Sequence, residues 1–289
     1  MAAKGANEMT FEPDTLGLPS TGLPLLRDLI HQRLGLFYDN GRYDTLHDRL
    51  APLVLQRGFP SFLDFYYLLK YDEREAAAEW RRVMDALSVQ ETYFWREIDQ
   101  IRGLACSVLP ALCAATPDRP IRIWSVPCAS GEEPLTIAIM LTETGWFDRV
   151  PIEIHASDAS SLAIDKARAA RYRERAFRAL PPDLREKYFV GAGGVSVPVP
   201  ELQARITSWS MVNLMATHEI APYARSPIIF CRNAFIYFSP QTVKAVAEAF
   251  ADLMPVPAYL FLGASESLLN VTPRFMLDDL ERAFVYVKR

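Results

Sequence analysis

Cysteine and histidine are scarce in this chain of 289 residues, which has four of each. No two cysteines form a CxxC pair, and the histidines do not have the spacing of a metal site. We therefore expect no metal ion, and we expect the cysteines to be reduced, buried thiols of a cytoplasmic protein. The residues concerned are Cys106, Cys113, Cys128, Cys231, His31, His47, His155 and His218.

The chain also lacks a surplus of positive charge and a long apolar run. Its 31 lysines and arginines against 35 acids give a net charge of -4. This balance argues against general nucleic-acid binding but leaves room for a local basic patch. No apolar run approaches the roughly 20 residues that cross a bilayer, and Met1 to Asp14 have no apolar signal-peptide core. We expect a cytoplasmic protein without direct membrane insertion.

The length allows one large domain or two smaller ones, and half of the residues are hydrophobic, so a substantial core can form. Residues 1–20 are small and polar and predict a flexible tail. Residues 21–91 predict a helical N-terminal domain, and residues 92–289 a second domain. Helical spacing of apolar residues predicts four N-terminal helices, at Leu25–Leu34, Tyr43–Leu55, Ser61–Lys70 and Glu73–Leu87.

Strands and helices alternate in the second domain, which predicts an α/β fold with a doubly wound parallel sheet. The strand-like runs are Ile121–Val126, Ile152–Ala156, Ile228–Cys231, Tyr259–Gly263 and Ala283–Val287. The helical runs between them are Leu135–Thr142, Ser161–Arg171 and Gln241–Met254. Glycines and prolines interrupt the alternation and predict a small antiparallel β insert at about 188–209, with an irregular loop as the alternative.

The loop after the first strand is the most informative segment. Small residues from Cys128 to Gly131 are followed by Glu132, Glu133 and then Pro134, which is typical of a tight loop that leads into a helix. Ligands of doubly wound folds lie at the carboxyl ends of such strands. The two acids would repel a phosphate and attract a cation, and the GxGxxG of pyrophosphate sites is missing. The loop therefore predicts a ligand that carries an ammonium or sulfonium group.

Three other segments contain candidate site residues, and each has a second interpretation. Asp158 ends the second strand, where an acid binds ribose hydroxyls or caps the next helix. Arg232 and Asn233 interrupt apolar residues, either at the ligand crevice or as a structural arginine satisfied by carbonyl groups. The aromatic run from Tyr93 to Trp95 is either core packing or a wall that excludes water from a reacting centre.

Together these segments resemble the CheR family of chemotaxis-receptor glutamate O-methyltransferases, from about Leu25 to Val287. Six signatures of the family occur in its order and at its approximate spacing. They are Thr92-Tyr-Phe-Trp-Arg-Glu97, Trp124-Ser-Val-Pro-Cys-Ala-Ser-Gly-Glu-Glu-Pro134, Ala156-Ser-Asp158, Val212-Asn-Leu214, Phe230-Cys-Arg-Asn-Ala-Phe-Ile-Tyr-Phe238 and Gly263-Ala-Ser-Glu266.

The resemblance implies a class I S-adenosylmethionine-dependent methyltransferase domain (a Rossmann-like doubly wound sheet), an all-helical N-terminal domain and a small antiparallel insert. It implies S-adenosylmethionine as the cofactor, with S-adenosylhomocysteine as the product. Arg96 and Tyr237 are the implied catalytic residues. The implied cofactor contacts are Gln90 (where the family usually has Asn), Thr92, Arg96, Glu133, Asp158, Asn213, Leu214, Arg232 and Asn233.

The implied reaction transfers a methyl group to glutamate side chains in the cytoplasmic helical region of a chemoreceptor, which serves sensory adaptation. The helix that faces the receptor is usually strongly basic in the family, whereas Arg49 to Arg57 are mostly apolar here. The insert also looks shorter than in members that grip a C-terminal peptide tether, which suggests the tether-independent type, and we expect a monomer. The alternatives are a non-catalytic regulator and a methyltransferase for another protein or a small carboxylate.

Overall fold

The computed structural model describes residues 18, 20–115 and 120–288, so nearly all of the predicted tail at 1–20 lies outside the described residues. The chain divides into two compact units. One comprises the residues up to Gln32 together with Tyr38–Leu87, and the other comprises Arg33–Phe37 and everything from Ser88 onward. The division after Leu87 lies four residues before the boundary that we predicted at residue 91.

The first unit is all-helical in its described part. The four predicted helices are present as α1 (Leu23–Leu34), α2 (Tyr43–Gln56), α3 (Phe62–Tyr71) and α4 (Ala76–Leu87). Pro52 lies inside α2 without ending it. Ser61 caps α3, and its hydroxyl accepts a hydrogen bond from the Asp64 amide at 3.4 Å. The core of this unit consists of fully buried side chains from α1, α2, α3 and α4: Leu26, Ile30, Leu46, Leu50, Val54, Phe62, Phe65 and Val83.

The second unit contains a seven-stranded sheet. Its strands are β1 (Ile121–Ser125), β2 (Ile152–Asp158), β6 (Ile206–Met211), β7 (Ile228–Phe230), β8 (Ala258–Phe261), β9 (Met276–Asp279) and β10 (Phe284–Lys288). The order is β6-β2-β1-β7-β8-β10-β9. The first five strands in that order are parallel, and β10 is antiparallel to both of its neighbours.

Two strands of this sheet were not predicted. Three of the six residues of β6 are polar (Thr207, Ser208 and Ser210), and the sequence places residues 206–209 in the insert. All four residues of β9 are exposed at the edge of the sheet, so no apolar run marks it. The five predicted strands are all present, and successive residues of β1 contribute to two cores, Ile123 to one and Trp124 to the other.

Helices cover both faces of the sheet. They are α5 (Ile98–Gly103), α6 (Leu109–Ala115), α7 (Glu132–Glu143), α8 (Ser161–Ala169), α9 (Pro182–Tyr188), α10 (Pro200–Gln203), α11 (Thr217–Ala224) and α12 (Pro240–Leu253). A π-helical turn, Leu104–Val108, joins α5 to α6.

By length and composition alone, the segment Ile98–Ala115 could cross a membrane. It is an exception to the expectation that no apolar run of this length occurs. It is the one such helix among the described residues. Its apolar side chains, including Ile101, Leu104, Val108 and Leu112, are buried in the core of the second unit. This packing is what a core helix of a globular domain requires.

A second, three-stranded sheet forms the insert. Its strands are β3 (Tyr172–Arg173), β4 (Phe189–Ala192) and β5 (Val195–Pro198), all antiparallel, in the order β3-β5-β4. Gly193 and Gly194 form the hairpin turn with φ of 65° and 79°, a conformation that favours glycine. The insert therefore begins earlier than the predicted residue 188 and ends before 209, because β6 belongs to the large sheet.

The strand order places a ligand crevice at the end of β1. The chain leaves β1 for β2 and β6 on one side and later returns to β7 on the other, so the order reverses between β1 and β7. Ser125 at the end of β1 pairs with Ala156 of β2 and with Phe230 of β7. The loops that follow these three strands therefore begin at the same edge of the sheet.

Candidate functional site at the ends of the parallel strands

The loop after β1 is held in a tight, left-handed conformation. Gly131, the last residue before α7, has φ of 96°, and a Cβ atom there would lie 2.9 Å from the Trp209 ring and 3.1 Å from the Tyr172 hydroxyl. Ala129 also has a positive φ, of 45°. The Tyr172 hydroxyl donates to the Ser130 carbonyl at 2.9 Å. Only glycine fits at residue 131, so the loop keeps a small-residue surface beside the first turn of α7.

Asp158 joins the end of β2 to this loop. One carboxylate oxygen accepts a hydrogen bond from the Ala129 amide at 2.9 Å, and the other accepts one from the Ser160 amide at 2.9 Å. The cap of α8 is Ser160, whose hydroxyl accepts from the Ala163 amide at 3.1 Å. The alternative that Asp158 caps this helix is therefore wrong.

Glu133 lies in the first turn of α7 and faces the end of β7. Ser125 donates to one of its oxygens at 2.7 Å, and Arg232 donates to the other at 3.0 Å. Burial raises the pKa of the Glu133 carboxyl, and the Arg232 guanidinium opposes this effect. A carboxylate held in this way is a fixed negative charge at the crevice, which is suited to a cationic ligand.

Glu132 is the more buried of the paired acids, with only 4% of its surface exposed. Its carboxylate accepts a hydrogen bond from the Ser130 hydroxyl at 2.8 Å. Burial raises the pKa of Glu132, and no cation lies within ion-pair distance of it among the residues that the structure describes. The two neighbouring acids therefore have different surroundings, one beside an arginine and one in the core.

Arg232 is almost completely buried and holds three segments together. Besides Glu133, its guanidinium contacts Glu97 at 3.1 Å and the Arg96 carbonyl at 2.9 Å. Its Nε has no partner among the described residues. The sequence allowed Arg232 to be a structural arginine or a residue of the ligand crevice. In the structure it binds a carbonyl group, as a structural arginine does, and it also lies at the crevice.

Glu266 fixes the loop after β7, a role that we did not predict. Its carboxylate accepts hydrogen bonds from the amides of Gly263, Asn233 and Phe235 at 2.6–2.7 Å and from Ile236 at 3.3 Å. Asn233 has φ of 59°, and its side-chain nitrogen would lie 2.5 Å from a Cβ at position 263. The signal was in the sequence, because a Gly-x-Ser-Glu signature follows the eighth strand.

Arg96 lies on a strained segment, since Trp95 and Glu97 on either side of it have φ of 71° and 49°. Its guanidinium donates to the Glu91 carbonyl at 2.8 Å and is 3.7 Å from the Glu97 carboxylate. Glu97 also accepts a hydrogen bond from the Ala264 amide at 3.1 Å. Arg96 is thereby linked through Glu97 to Arg232 and to the loop after β8.

Residues of the aromatic run before Arg96 have different surroundings. Phe94 is fully buried in a cluster with Tyr172, Phe177 and Phe189, at ring distances of 4.8–5.2 Å. It therefore belongs to the core between the sheet domain and the insert. Tyr93 is half-buried, and the Arg178 guanidinium lies 3.6 Å from its ring centre. Of the two interpretations, core packing applies to Phe94.

The remaining predicted residues lie around the same edge of the sheet. The Gln90 amide contacts the Ser160 hydroxyl at 3.4 Å and the Lys166 ammonium at 2.7 Å, next to Asp158. Thr92 and Leu214 are half-buried on the segments before Phe94 and after β6.

Asn213 and Tyr237 both bind the backbone of the Arg33–Phe37 segment. The Asn213 amide donates to the Arg33 carbonyl at 2.8 Å, and the Phe37 amide donates to the Tyr237 carbonyl at 2.8 Å. The side-chain oxygen of Asn213 accepts from the Met215 amide at 3.0 Å. Residues 33–37 are thus part of the surroundings of the site within the second unit.

The cysteines only partly match the expectation. Cys128 and Cys231 are buried beside the crevice, and burial raises the pKa of both thiols well above its usual value. Cys113 is half-buried and Cys106 is exposed, so the expectation of four buried thiols was wrong. No cluster of three potential metal ligands occurs among the described residues.

Comparison with known proteins agrees with this geometry. The model of the "CheR methyltransferase, SAM binding domain" family matches residues 90–284, and that of the "CheR methyltransferase, all-alpha domain" family matches residues 22–88. This chain belongs to the CheR methyltransferase family. It is therefore an S-adenosylmethionine-dependent methyltransferase, and the predicted fold class, including the helical N-terminal domain and the antiparallel insert, is confirmed.

Relatives match over most of the CheR chain. Chemotaxis protein methyltransferase 2 of Vibrio cholerae is 32% identical over 91% of this chain and 91% of its own length. Chemotaxis protein methyltransferase of Escherichia coli is 28% identical over 91% and 90%. A putative class I S-adenosylmethionine-dependent methyltransferase of Listeria monocytogenes, a solved structure, covers 92% of this chain and 84% of that chain at 11% identity, with a TM-score of 0.40. This last likeness is too weak to bear on function.

Proposed function

We propose that this protein transfers the methyl group of S-adenosylmethionine to glutamate side chains of a chemoreceptor and acts in the cytoplasm. Its relatives are named chemotaxis protein methyltransferases, which supports a chemoreceptor as the substrate. The observation that carries the proposal is the pair of fixed acids, Glu133 and Asp158, at the ends of adjacent parallel strands. The cofactor has an ammonium and a sulfonium group for one acid and ribose hydroxyls for the other.

The residues present fit this cofactor. Glu133 would bind its cationic part and Asp158 its ribose, while the small residues that end at Gly131 leave room for close approach to the backbone. Gln90, Thr92, Asn213, Leu214, Arg232 and Asn233 are the further proposed contacts. In this arrangement Arg232 acts mainly by holding Glu133 in place, since its guanidinium is buried against three protein acceptors.

When bound, S-adenosylmethionine supplies a methyl group on a positively charged sulfur. The substrate carboxylate is ionised near pH 7, because a glutamate has a pKa of about 4.3, so no general base is required. One C–O bond forms as the S–CH₃ bond breaks, the electron pair goes to sulfur, and no proton moves. Opposite charges are neutralised in this step, so a site that excludes water favours it.

The protein's task is then alignment of the two reactants. Arg96 is the proposed residue that orients the incoming carboxylate or the cofactor, and its guanidinium retains donors beyond the one that binds Glu91. Tyr237 is the proposed neighbour of the carboxylate and the methyl group. A monomeric enzyme that needs no peptide tether on the receptor is part of the proposal.

Labelled methyl transfer tests the proposal. The purified protein is incubated with S-adenosyl-[methyl-³H]methionine and membranes that contain chemoreceptors from the same organism. We expect label on a receptor-sized band, released as methanol by mild alkali, as glutamate methyl esters require. Label that resists alkali, or label on small molecules only, would point to another methyl acceptor. Cofactor binding without any labelled product would indicate a non-catalytic regulator.

A further inference from the structure

One stretch of the second unit reverses the charge balance of the chain. Residues 166–187 contain eight lysines and arginines but only three acids. The rest of the chain contains 23 lysines and arginines and 32 acids. Seven of the eight cationic side chains are exposed. A chain with a net charge of -4 therefore carries one strongly basic surface, which begins on α8 and continues into the insert.

The centre of this surface has uncompensated charge. Arg171 and Arg173 are exposed on either side of the buried Tyr172, so they share the outer face at the edge of the insert sheet. Neither has an acidic partner within 4.0 Å among the described residues. By contrast, Arg185 near the end of the stretch binds Glu174 through two hydrogen bonds of 2.7 Å.

Arg175 and Arg178 extend the surface toward Arg96. Both pair with the single carboxylate of Glu91, at 2.8 and 2.9 Å, which leaves a surplus positive charge. The two arginines hold the pKa of Glu91 below its usual value, so this acid stays ionised. Arg96 binds the carbonyl of the same Glu91 at 2.8 Å. We call Arg171, Arg173, Arg175 and Arg178 the basic strip.

The basic strip lies beside the proposed methyl-transfer site. Tyr172, between the first two of its arginines, reaches the loop after β1 through its hydrogen bond to Ser130. Arg178 lies against Tyr93, three residues before Arg96. A partner bound to Arg175 and Arg178 would therefore lie close to the segment that carries Arg96, while Arg171 and Arg173 extend the same charge along the insert.

We propose that the basic strip docks the acidic helical surface of the receptor that carries the substrate glutamates. This inference rests on the proposed function, because it names where that substrate binds. A receptor segment with several unmethylated glutamates is strongly anionic, and complementary charges accelerate and orient docking. Each ester formed removes one negative charge, so the strip would hold a methylated receptor less tightly than an unmethylated one.

Helix α2 of the first unit offers less free positive charge for this role. On α2, Arg49 donates to the Leu87 carbonyl at 2.9 Å. Arg57, just after α2, pairs with Glu75 and lies 3.6 Å from Glu79. These arginines are already engaged within their own unit, whereas Arg171 and Arg173 have no such partners. The distribution of charge therefore favours the insert over α2 as the surface for an acidic partner.

A charge-reversal experiment tests the proposal. The strip variant is Arg171→Glu/Arg173→Glu. The control variant, Arg149→Glu/Arg225→Glu, has the same net charge, but its two substitutions lie just before β2 and β7, at the opposite end of the parallel strands from the site. Initial rates of methylation are measured against receptor concentration at low and moderate salt, and S-adenosylmethionine affinity is measured by calorimetry. Circular dichroism checks that both variants are folded.

We expect the KM for receptor to rise about tenfold in the strip variant, with kcat and cofactor affinity unchanged, and its dependence on salt to weaken. The control variant should keep the KM of the unchanged protein. Equal KM values in both variants would overturn the proposal. So would a strip variant that methylates receptor normally but no longer sediments with anionic lipid vesicles, because the strip would then serve a membrane surface. If the unchanged protein methylates no receptor, the proposed function itself fails.

Discussion

Arg232 and Glu133 form an ion pair of 3.0 Å that joins the loop after β7 to the first turn of α7. The side chain of Arg232 is 2% exposed and that of Glu133 is 14% exposed. Glu97 approaches the same guanidinium at 3.1 Å. A single buried arginine therefore fixes an acid of the cofactor site and the segment that carries Arg96.

Replacing Arg232 by methionine should destabilise the protein by about 3–5 kcal/mol, because it leaves Glu133 and Glu97 without their cation in a buried site. Denaturant unfolding measures the change. Arg102→Met is the matched control, since Arg102 pairs with Asp99 on the surface at 2.7 Å and should cost less than about 1 kcal/mol. Similar losses in both variants would show that the buried network is not what holds these segments.

Glu132 and Glu143, at the two ends of α7, should contribute to the free energy of unfolding with opposite dependences on pH. Burial raises the pKa of Glu132 in the folded protein, so this carboxyl costs stability as pH rises above the unfolded pKa of about 4.5. Lys187 and Tyr188 lower the pKa of Glu143, so that carboxylate adds stability at neutral pH and loses it as pH falls. Glu132→Gln should therefore gain stability relative to the unchanged protein between pH 4 and 8, whereas Glu143→Gln should lose it.

Unfolding free energies of the three proteins at several pH values test this pair. Each variant controls for the other, because both are Glu→Gln changes on the same helix. The same sign of change in both variants would contradict the surroundings described for these acids.

Asp158→Asn should weaken S-adenosylmethionine binding by about 10- to 100-fold, because hydrogen bonds to a charged acceptor contribute about 1.5–3 kcal/mol. The Ala129 amide that fixes the loop after β1 would also lose a charged partner. Calorimetry measures the affinity, and Asp165→Asn, an exposed residue of α8, is the control. Unchanged affinity in Asp158→Asn would remove Asp158 from the cofactor site.

Arg96→Ala should reduce methyl transfer by about 100-fold or more, since loss of an aligning group misplaces the reactants. The fold should survive, because Arg96 belongs to neither hydrophobic core cluster and its guanidinium contacts the Glu91 carbonyl and Glu97. Arg102→Ala, at an exposed site, should leave the rate unchanged. Near-normal methylation by folded Arg96→Ala protein would refute the proposed role of this residue.

The sequence predicted the sheet well where strands are buried and poorly where they are not. Strand β7 is a continuous apolar run, and β1 and β2 have buried apolar residues although Arg122 and Glu153 interrupt them. Strand β9 is exposed throughout, and half of the residues of β6 are polar, so neither is marked by an apolar run. The two-residue strand β3 of the insert was missed because its pairing partner, β5, is more than 20 residues away in the chain.

The site was predictable as a set of residues but not as a network. Glu133 and Asp158 could be placed at strand ends from local patterns alone. The sequence does not show that Arg232 binds Glu97, or that Glu266 accepts hydrogen bonds from the amides of Asn233, Phe235 and Ile236, because these contacts join residues at least 30 positions apart in the chain. The positive φ angles of Trp95 and Glu97 also give no local signal, since neither residue is glycine.

Cofactor titration of Glu133→Gln tests the central claim most directly, because a fixed charge at the end of β1 is what selects a sulfonium donor. Calorimetry of the unchanged protein should show one S-adenosylmethionine bound per chain and no binding of NADH. Glu133→Gln, with its fold intact, should bind S-adenosylmethionine at least about tenfold more weakly, the loss expected for one charged hydrogen bond. Equal affinity in the two proteins, or a preference for NADH, would contradict the account.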